Sequence, residues 1–283
     1  MQRFKILHRT YYNFSGTVTL GPHTLRLRPR EDHELRIESS LLNITPTATL
    51  RWHRDVEDNS VAVACFNTPT QQLVIESEVV IQQYNLAPLD FMLADYAVNY
   101  PFAYTPEDLA VLASYTGVTG HAMSDVLADW LANLWHSDEQ LQTYGLLQCI
   151  TARIQQTVSY QHREEAGVQS ASDTLTYGTG SCRDLANLFM VSVRHLGFAS
   201  RFVSGYLHAE PSTVNFGSTH AWAEVFLPGA GWKGFDPTIG EIVGTDHIAV
   251  AVARSPELVP PVEGSFVGPT GVNLDVGVWV TNL

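Results

Sequence analysis

Lysine is nearly missing from this sequence of 283 residues. Only Lys5 and Lys233 stand among its 16 basic residues, against 29 acidic ones, for a formal net charge of −13. A chain so short of positive charge repels polyanions, which makes nucleic acid and anionic membrane poor partners. Cysteine is scarce as well. Cys65, Cys149 and Cys182 are odd in number, widely spaced and without a CxxC pair, which argues against a disulfide framework and a structural zinc site. No run approaches 18 apolar residues, and Met1 is followed by Gln2-Arg3-Phe4-Lys5 rather than an apolar leader. Internal repeats and low-complexity segments are lacking too. These absences lead us to expect a soluble, cytoplasmic protein with no membrane partner.

What is present is globular in character: 45% apolar and 16% charged residues, enough chain for one large domain or two ordinary ones. Residues 1–85 read as β-rich. Phe4–His8, Leu35–Ile44 and Leu73–Gln83 favour alternating or β-branched residues between Pro, Asn and Asp clusters. Helical spacing takes over in 106–116, 124–136, 138–159 and 173–197, with Ser124 before Asp125 as an N-cap. Residues 199–250 return to short strands, and Gly271 to Val280 reads as a closing strand. The order β, α, β indicates an α+β fold. We divide it into a β-sandwich-like N-terminal domain (1–88), a core with a helical lead-in (89–250) and a C-terminal extension (251–283) whose strand returns to the first domain.

Two segments carry chemistry. In Tyr177-Gly178-Thr179-Gly180-Ser181-Cys182-Arg183-Asp184 the glycines delay a helix that then runs to Leu196 and closes at Gly197. Cys182 falls at the helix start, where unpaired N–H groups and the dipole favour a thiolate and could hold a developing oxyanion. A small apolar residue packed at a helix start would look the same from this segment alone. Asp184 fits a role in stabilising that helix start. The second segment, Ser218 to Leu227, puts His220, Trp222, Glu224 and Phe226 on one strand face. A turn at Pro228-Gly229-Ala230 pairs Leu227 with Gly231 and so Trp222 with Asp236. His220 is then one diagonal step from Asp236, about 7–8 Å at Cα and within reach of a His–Asp hydrogen bond. A lone strand histidine is more often structural, and the paired carboxylate shifts the balance towards function. A Cys, a His and an Asp supply a thiolate to attack an acyl carbon, an imidazole to move the proton and a carboxylate to fix the imidazole tautomer. A metal site or metal-dependent hydrolase would need more ligands than one Cys without HxH or CxxC spacing offers, so no metal or other cofactor is expected.

The sequence resembles the bacterial transglutaminase-like family of the papain-like Cys-His-Asp superfamily. The likeness rests on GTGSCRDLANLF (178–189), RFVSGYL (201–207), HAWAEVFLPGAGWKGFDPT (220–238) and DHIAVAVAR (246–254), recurring in order. YNF (12–14) and LRLRP (25–29) look like the β domain that precedes the core in this family. The resemblance implies a papain-like transglutaminase core with Cys182 as nucleophile, His220 as general acid/base and Asp236 as orienting carboxylate. It departs at Ile239-Gly240, where Asn-Gly is usual, and at Ser255-Pro256-Glu257-Leu258, where Asp-Tyr and a further acid are usual. Both touch substrate selection rather than the triad.

Weaker readings complete the set. Tyr160 is a candidate oxyanion donor or substrate contact, and Trp222 a shield for the His–Asp bond or a plain core residue. Cys65 in strand 61–66 and Cys149 on an apolar helix face read as inert core thiols. Histidines such as His121 have no partner spacing. Gly229-Ala230-Gly231-Trp232-Lys233-Gly234 fits GxGxxG but lies in a hairpin with no helix after it, so nucleotide binding is rejected. The function expected is acyl transfer on a peptide or protein amide through a Cys182 thioester, resolved by water as in a cysteine protease or amidase. The alternatives are a transglutaminase, whose amine acceptor Glu224 and Trp222 would tolerate, and a non-catalytic scaffold on the same fold.

Overall fold

A computed structural model describes residues 1–117, 124–132, 134–135, 140–163, 165, 167–208 and 219–283. The chain opens with β1 (Gln2–Leu25), β2 (Leu35–Thr45), β3 (Ala48–Arg54), β4 (Ser60–Phe66) and β5 (Thr70–Gln83). A mixed region follows: β6 (Asn99–Tyr100), α1 (Pro106–Thr116), α2 (Asp125–Ala132), β7 (Leu141–Gln142), α3 (Thr143–Thr157), β8 (Ser159–Tyr160), α4 (Ala171–Tyr177), β9 (Thr179–Gly180) and α5 (Cys182–His195). The rest is strand: β10 (Ser200–Leu207), β11 (His220–Leu227), β12 (Gly231–Asp236), β13 (Glu241–Ile242), β14 (His247–Ala253), β15 (Val262–Val267) and β16 (Val272–Asn282). The fold is α+β, strand-rich at the N-terminus.

β1 is far longer than its Phe4–His8 signal because four partners satisfy its backbone in turn. Its first half lies between β5 and β16, and its second half pairs with β15 and β4. Pro22, which has no N–H to give, falls where the β15 register shifts between Leu20 and His23. Period two is kept by Phe4, Ile6, His8 and Thr10, all buried. The two polar members are admitted because His8 Nε2 meets Thr10 Oγ1 at 2.9 Å and His8 Nδ1 meets the Tyr206 hydroxyl at 3.2 Å.

Five antiparallel strands in the order β13-β12-β11-β10-β14 form the second sheet. One face carries Ala221, Ala223, Val225 and Phe235, packed under Leu185, Leu188, Phe189 and Val193 of α5 and Leu147, Ile150 and Ile154 of α3. On the other face Tyr206, Ile248 and Val250 meet Phe4, Ile6, Val79, Ile81 and Val278 of the N-terminal strands. Helices, sheet and β unit are thus three layers. The small residues of β11 let α5 lie close to the sheet, which brings its N-terminus towards the end where β11 begins.

Helix limits follow local chemistry. Ser124 Oγ accepts from the Leu127 N–H at 3.3 Å, as its place before α2 suggests, and Thr105 caps α1 through the Asp108 N–H at 3.1 Å. The helical stretch expected over 173–197 is two helices, because Gly178 takes a left-handed φ of 65° and ends α4. Gly197, at φ 89°, stands just past α5. Residues 136–139, His121 and Ser218 lie outside the described residues. Cys149 is exposed, contrary to the core role expected of it. α3 turns Leu146, Leu147, Ile150 and Ile154 inward, and position 149 falls on the opposite side.

Candidate active site

Cys182 is the first residue of α5, half-buried. What holds it there is Asp184, which has no exposed surface. Its Oδ2 accepts from the Ser181 N–H at 2.8 Å and the Ser181 hydroxyl at 2.7 Å. Arg163 donates from one nitrogen to both carboxylate oxygens at 2.8 Å, and the Gln169 N–H reaches Oδ1 at 2.8 Å. Burial alone would raise the Asp184 pKa, but these donors outweigh it and hold the carboxyl below its ordinary value. The helix-start role read from sequence is therefore larger than a cap, because Asp184 also fastens Arg163 and Gln169 to the start of α5. Arg183 and Asn187 add bonds from α5 to the carbonyls of Gly167 and Gln169. Of the first N–H groups of α5, Ser181 gives its own to Asp184 and Asp184 gives its own to the Ser181 carbonyl. Among the described residues, those of Cys182 and Arg183 have no acceptor, which leaves them for an incoming oxygen.

His220 and Asp236 meet as the hairpin arithmetic requires. Leu227 pairs with Gly231 and Ala223 with Phe235, so the next pair outward is Trp222 with Asp236. His220 Nε2 lies 2.6 Å from Asp236 Oδ2, both side chains buried. With Nε2 taken by the carboxylate, Nδ1 is the other ring nitrogen, and Cys182 lies close enough to this ring to act on its charge. Burial would lower the His220 pKa. The Asp236 charge and hydrogen bond, reinforced by Cys182, overcome it and raise the value to about 10. Asp236 is held well below the usual carboxylate range by His220, despite its own desolvation. Its Oδ1 accepts from the Thr238 N–H at 2.9 Å across Pro237.

Tyr160 pairs in parallel with Gly180, and the Gln161 N–H donates to the Gly180 carbonyl at 2.8 Å. That places Tyr160 near Cys182, whose charge adds to burial in pushing the phenol up to about 12. Trp222 is buried, with its ring centre 6.1 Å from that of His220. Glu224 does not serve as the free acid the amine-acceptor reading used. Arg201 binds it at 2.7 Å while lying 4.3 Å over the Trp232 ring.

Nothing in the spacing of the sequence points to His247, yet it sits in the same cluster. Its Nε2 is 3.0 Å from the Asp236 oxygen that His220 uses, and Trp222 stands edge-on to it at 5.1 Å. Among the described residues, His220, Asp236 and His247 have donor atoms close enough to consider a metal. A 2.6 Å nitrogen–oxygen separation is that of a hydrogen bond, since two ligands of one tetrahedral zinc stand about 3.3 Å apart. The block 246–254 that carries His247 was the available signal, but it gave no role.

Comparison with known proteins bears directly on this arrangement. Residues 4–82 match the bacterial transglutaminase-like N-terminal region, and residues 136–237 match the transglutaminase-like superfamily. Over residues 136–237 the chain carries a transglutaminase-like core. An uncharacterized protein of Mycobacterium leprae is 25% identical over 303 residues, covering all of both chains. Another, from Mycobacterium bovis, is 26% identical over 275 residues, 93% of this chain and 87% of the relative. A solved structure from Cytophaga hutchinsonii, named as a candidate cysteine protease, superposes with a TM-score of 0.75 at 17% identity, over all of this chain and 91% of the other. At that identity the likeness establishes a shared fold. Cys182, His220 and Asp236 all fall within the matched 136–237.

Proposed function

We propose that this transglutaminase-like protein transfers the acyl group of a peptide or protein amide through a thioester on Cys182, and that water is the usual acceptor. The observation that carries the reading is the His220 ring, bonded through Nε2 to Asp236 and close enough to Cys182 for the cysteine to help raise its pKa. His220, held protonated by Asp236, already carries the proton when the Cys182 sulfur attacks the amide carbon. The Cys182 and Arg183 N–H groups receive the oxyanion, with Tyr160 as a further donor. His220 then protonates the leaving amine, the C–N bond breaks and the thioester forms. In the second half His220 takes a proton from water, the hydroxide adds, and collapse returns the thiol and a free acid. Asp236 holds the ring in the tautomer these steps need, and Trp222 shields the His–Asp bond.

Amine transfer is the competing outcome. It would need an acceptor held beside the thioester and water kept away. The acidic group that favoured an amine on sequence grounds, Glu224, is tied to Arg201. Hydrolysis is therefore expected to exceed transfer. The test offers the enzyme a peptide library with a fluorescent primary amine at millimolar level and follows both products, with Cys182→Ala as control. Excess free acid supports the hydrolase reading, and dominant amine conjugate replaces it with a transglutaminase.

A further inference from the structure

The connection from β13 to β14 does not stay at the sheet edge. It passes over the Trp222 face, where Val243 packs on Val203, Trp222 and Val252, and its N–H donates to the Gly234 carbonyl at 3.0 Å. This crossing delivers His247, the first residue of β14, to Asp236, although β11 and β10 separate β12 from β14 in the sheet. Its side chain is 4% exposed. The Gly244 N–H donates to His247 Nδ1 at 3.3 Å, so Nδ1 carries no proton and Nε2 does. Nε2–H then donates to Asp236 Oδ2 at 3.0 Å. Asp236 thus receives three donors: His220 and His247 on Oδ2, and the Thr238 N–H on Oδ1.

We propose that His247 is a positioning residue of this site, a fixed donor that holds the Asp236 carboxylate in plane and charged while His220 gains and loses its proton. The inference rests on the thiol acyl-transfer reading, in which His220 hands a proton to the leaving amine. At that moment Asp236 loses its cationic partner inside a buried site, where an anion with few donors would take up a proton instead. The Thr238 N–H and the His247 Nε2–H do not change during the cycle. They keep the carboxylate available to hold His220 in one tautomer for the second half-reaction. His247 touches no reacting atom and acts only through Asp236.

Two substitutions separate donation from packing. Gln places its amide nitrogen where Nε2 of the imidazole stands, so His247→Gln retains a donor to Asp236. His247→Phe retains an aromatic ring against Trp222 and donates nothing. The readouts are the second-order rate of Cys182 alkylation across pH 5–10, the ring ¹⁵N shifts of His220, and kcat and KM on any peptide found to turn over. Thermal unfolding verifies that each variant is folded. The expected result is His247→Gln within about threefold of wild type. His247→Phe should fall about tenfold or more in alkylation rate near neutral pH and in kcat, with KM unchanged and His220 shifts moved. Loss on that scale follows removal of a partner that orients an imidazole at metal sites. A His247→Phe protein with the wild-type profile overturns the proposal, as does a folded His247→Gln protein as impaired as the Phe variant. If His247→Phe does not fold, His247→Asn, whose amide stops short of Asp236, replaces it under the same criteria. Alkylation and the ¹⁵N shifts require no substrate. A wild-type enzyme that forms no acyl intermediate but shows the His247 effects therefore defeats the acyl-transfer reading alone.

Discussion

Asp184→Ala is the substitution whose cost the structure fixes best. The side chain has no exposed surface and accepts from the Ser181 N–H, the Ser181 hydroxyl, Arg163 and the Gln169 N–H. Removing it strips a buried ion pair and leaves two backbone donors at the foot of α5 without an acceptor. Summed at about 1.5–3 kcal/mol per charged hydrogen bond, the loss would exceed 6 kcal/mol, but such sums ignore relaxation. Arg163 is 16% exposed and has Glu165 within 3.6 Å, so it can swing outward, and water can enter beside Ser181. The expected destabilisation is therefore about 3–5 kcal/mol, the range for breaking one partner of a buried pair. Arg163→Ala should cost less, since Asp184 keeps its three donors from Ser181 and Gln169. The double variant should show a coupling of about 1–3 kcal/mol. Urea unfolding supplies all three values, and the same proteins report Cys182 alkylation, which should slow in Asp184→Ala even in the folded baseline. A cost under 1 kcal/mol, or an unchanged alkylation rate, would refute the view that Asp184 ties Arg163 and Gln169 to the helix start that bears Cys182.

Three further outcomes are expected. Iodoacetamide should label Cys182 faster than Cys149 near neutral pH, although Cys149 is the more exposed thiol, and His220→Ala should erase the difference; peptide mapping decides, and first labelling of Cys149 or Cys65 counts against the site. Asp236→Asn should fold yet lose about 10⁴-fold in rate, because an amide N–H facing Nε2 forces the imidazole proton onto the nitrogen meant for sulfur. His8 is lowered to about 4 by burial against β10, so the unfolded chain takes up its proton first. Stability is then full above pH 6.5 and should fall by about 2–3 kcal/mol by pH 4.5, a slope that His8→Gln removes and that urea midpoints at the two pH values measure.

Local physics made much of this site legible. Three turn residues set the register of β11 and β12, which fixes the His220–Asp236 contact, and a run of glycines ahead of a buried helix places Cys182 at its start. Gly197 and Ser124 marked helix limits by left-handed backbone and capping. The features that escaped depend on non-local pairing. His247 reaches Asp236 only because the chain crosses the Trp222 face and enters the sheet at its far edge, so no short spacing encodes the contact. β1 runs through Gly21-Pro22 because β15 and β4 take over its hydrogen bonds, which nothing within the segment announces. Cys149 looked inward because its neighbours are apolar, yet the helical phase set by Leu146 and Ile150 turns it outward.

The central claim is that Cys182 forms a thioester with an amide substrate. The direct test exposes the wild-type protein and Cys182→Ala to peptide mixtures, quenches in acid and maps adducts by mass spectrometry. An acyl mass on Cys182, absent from the Ala variant and cleared in time to yield free acid or amine conjugate, is the predicted result. Turnover of peptide by Cys182→Ala, or turnover by the wild type with no acyl group on Cys182 at any quench time, would contradict it.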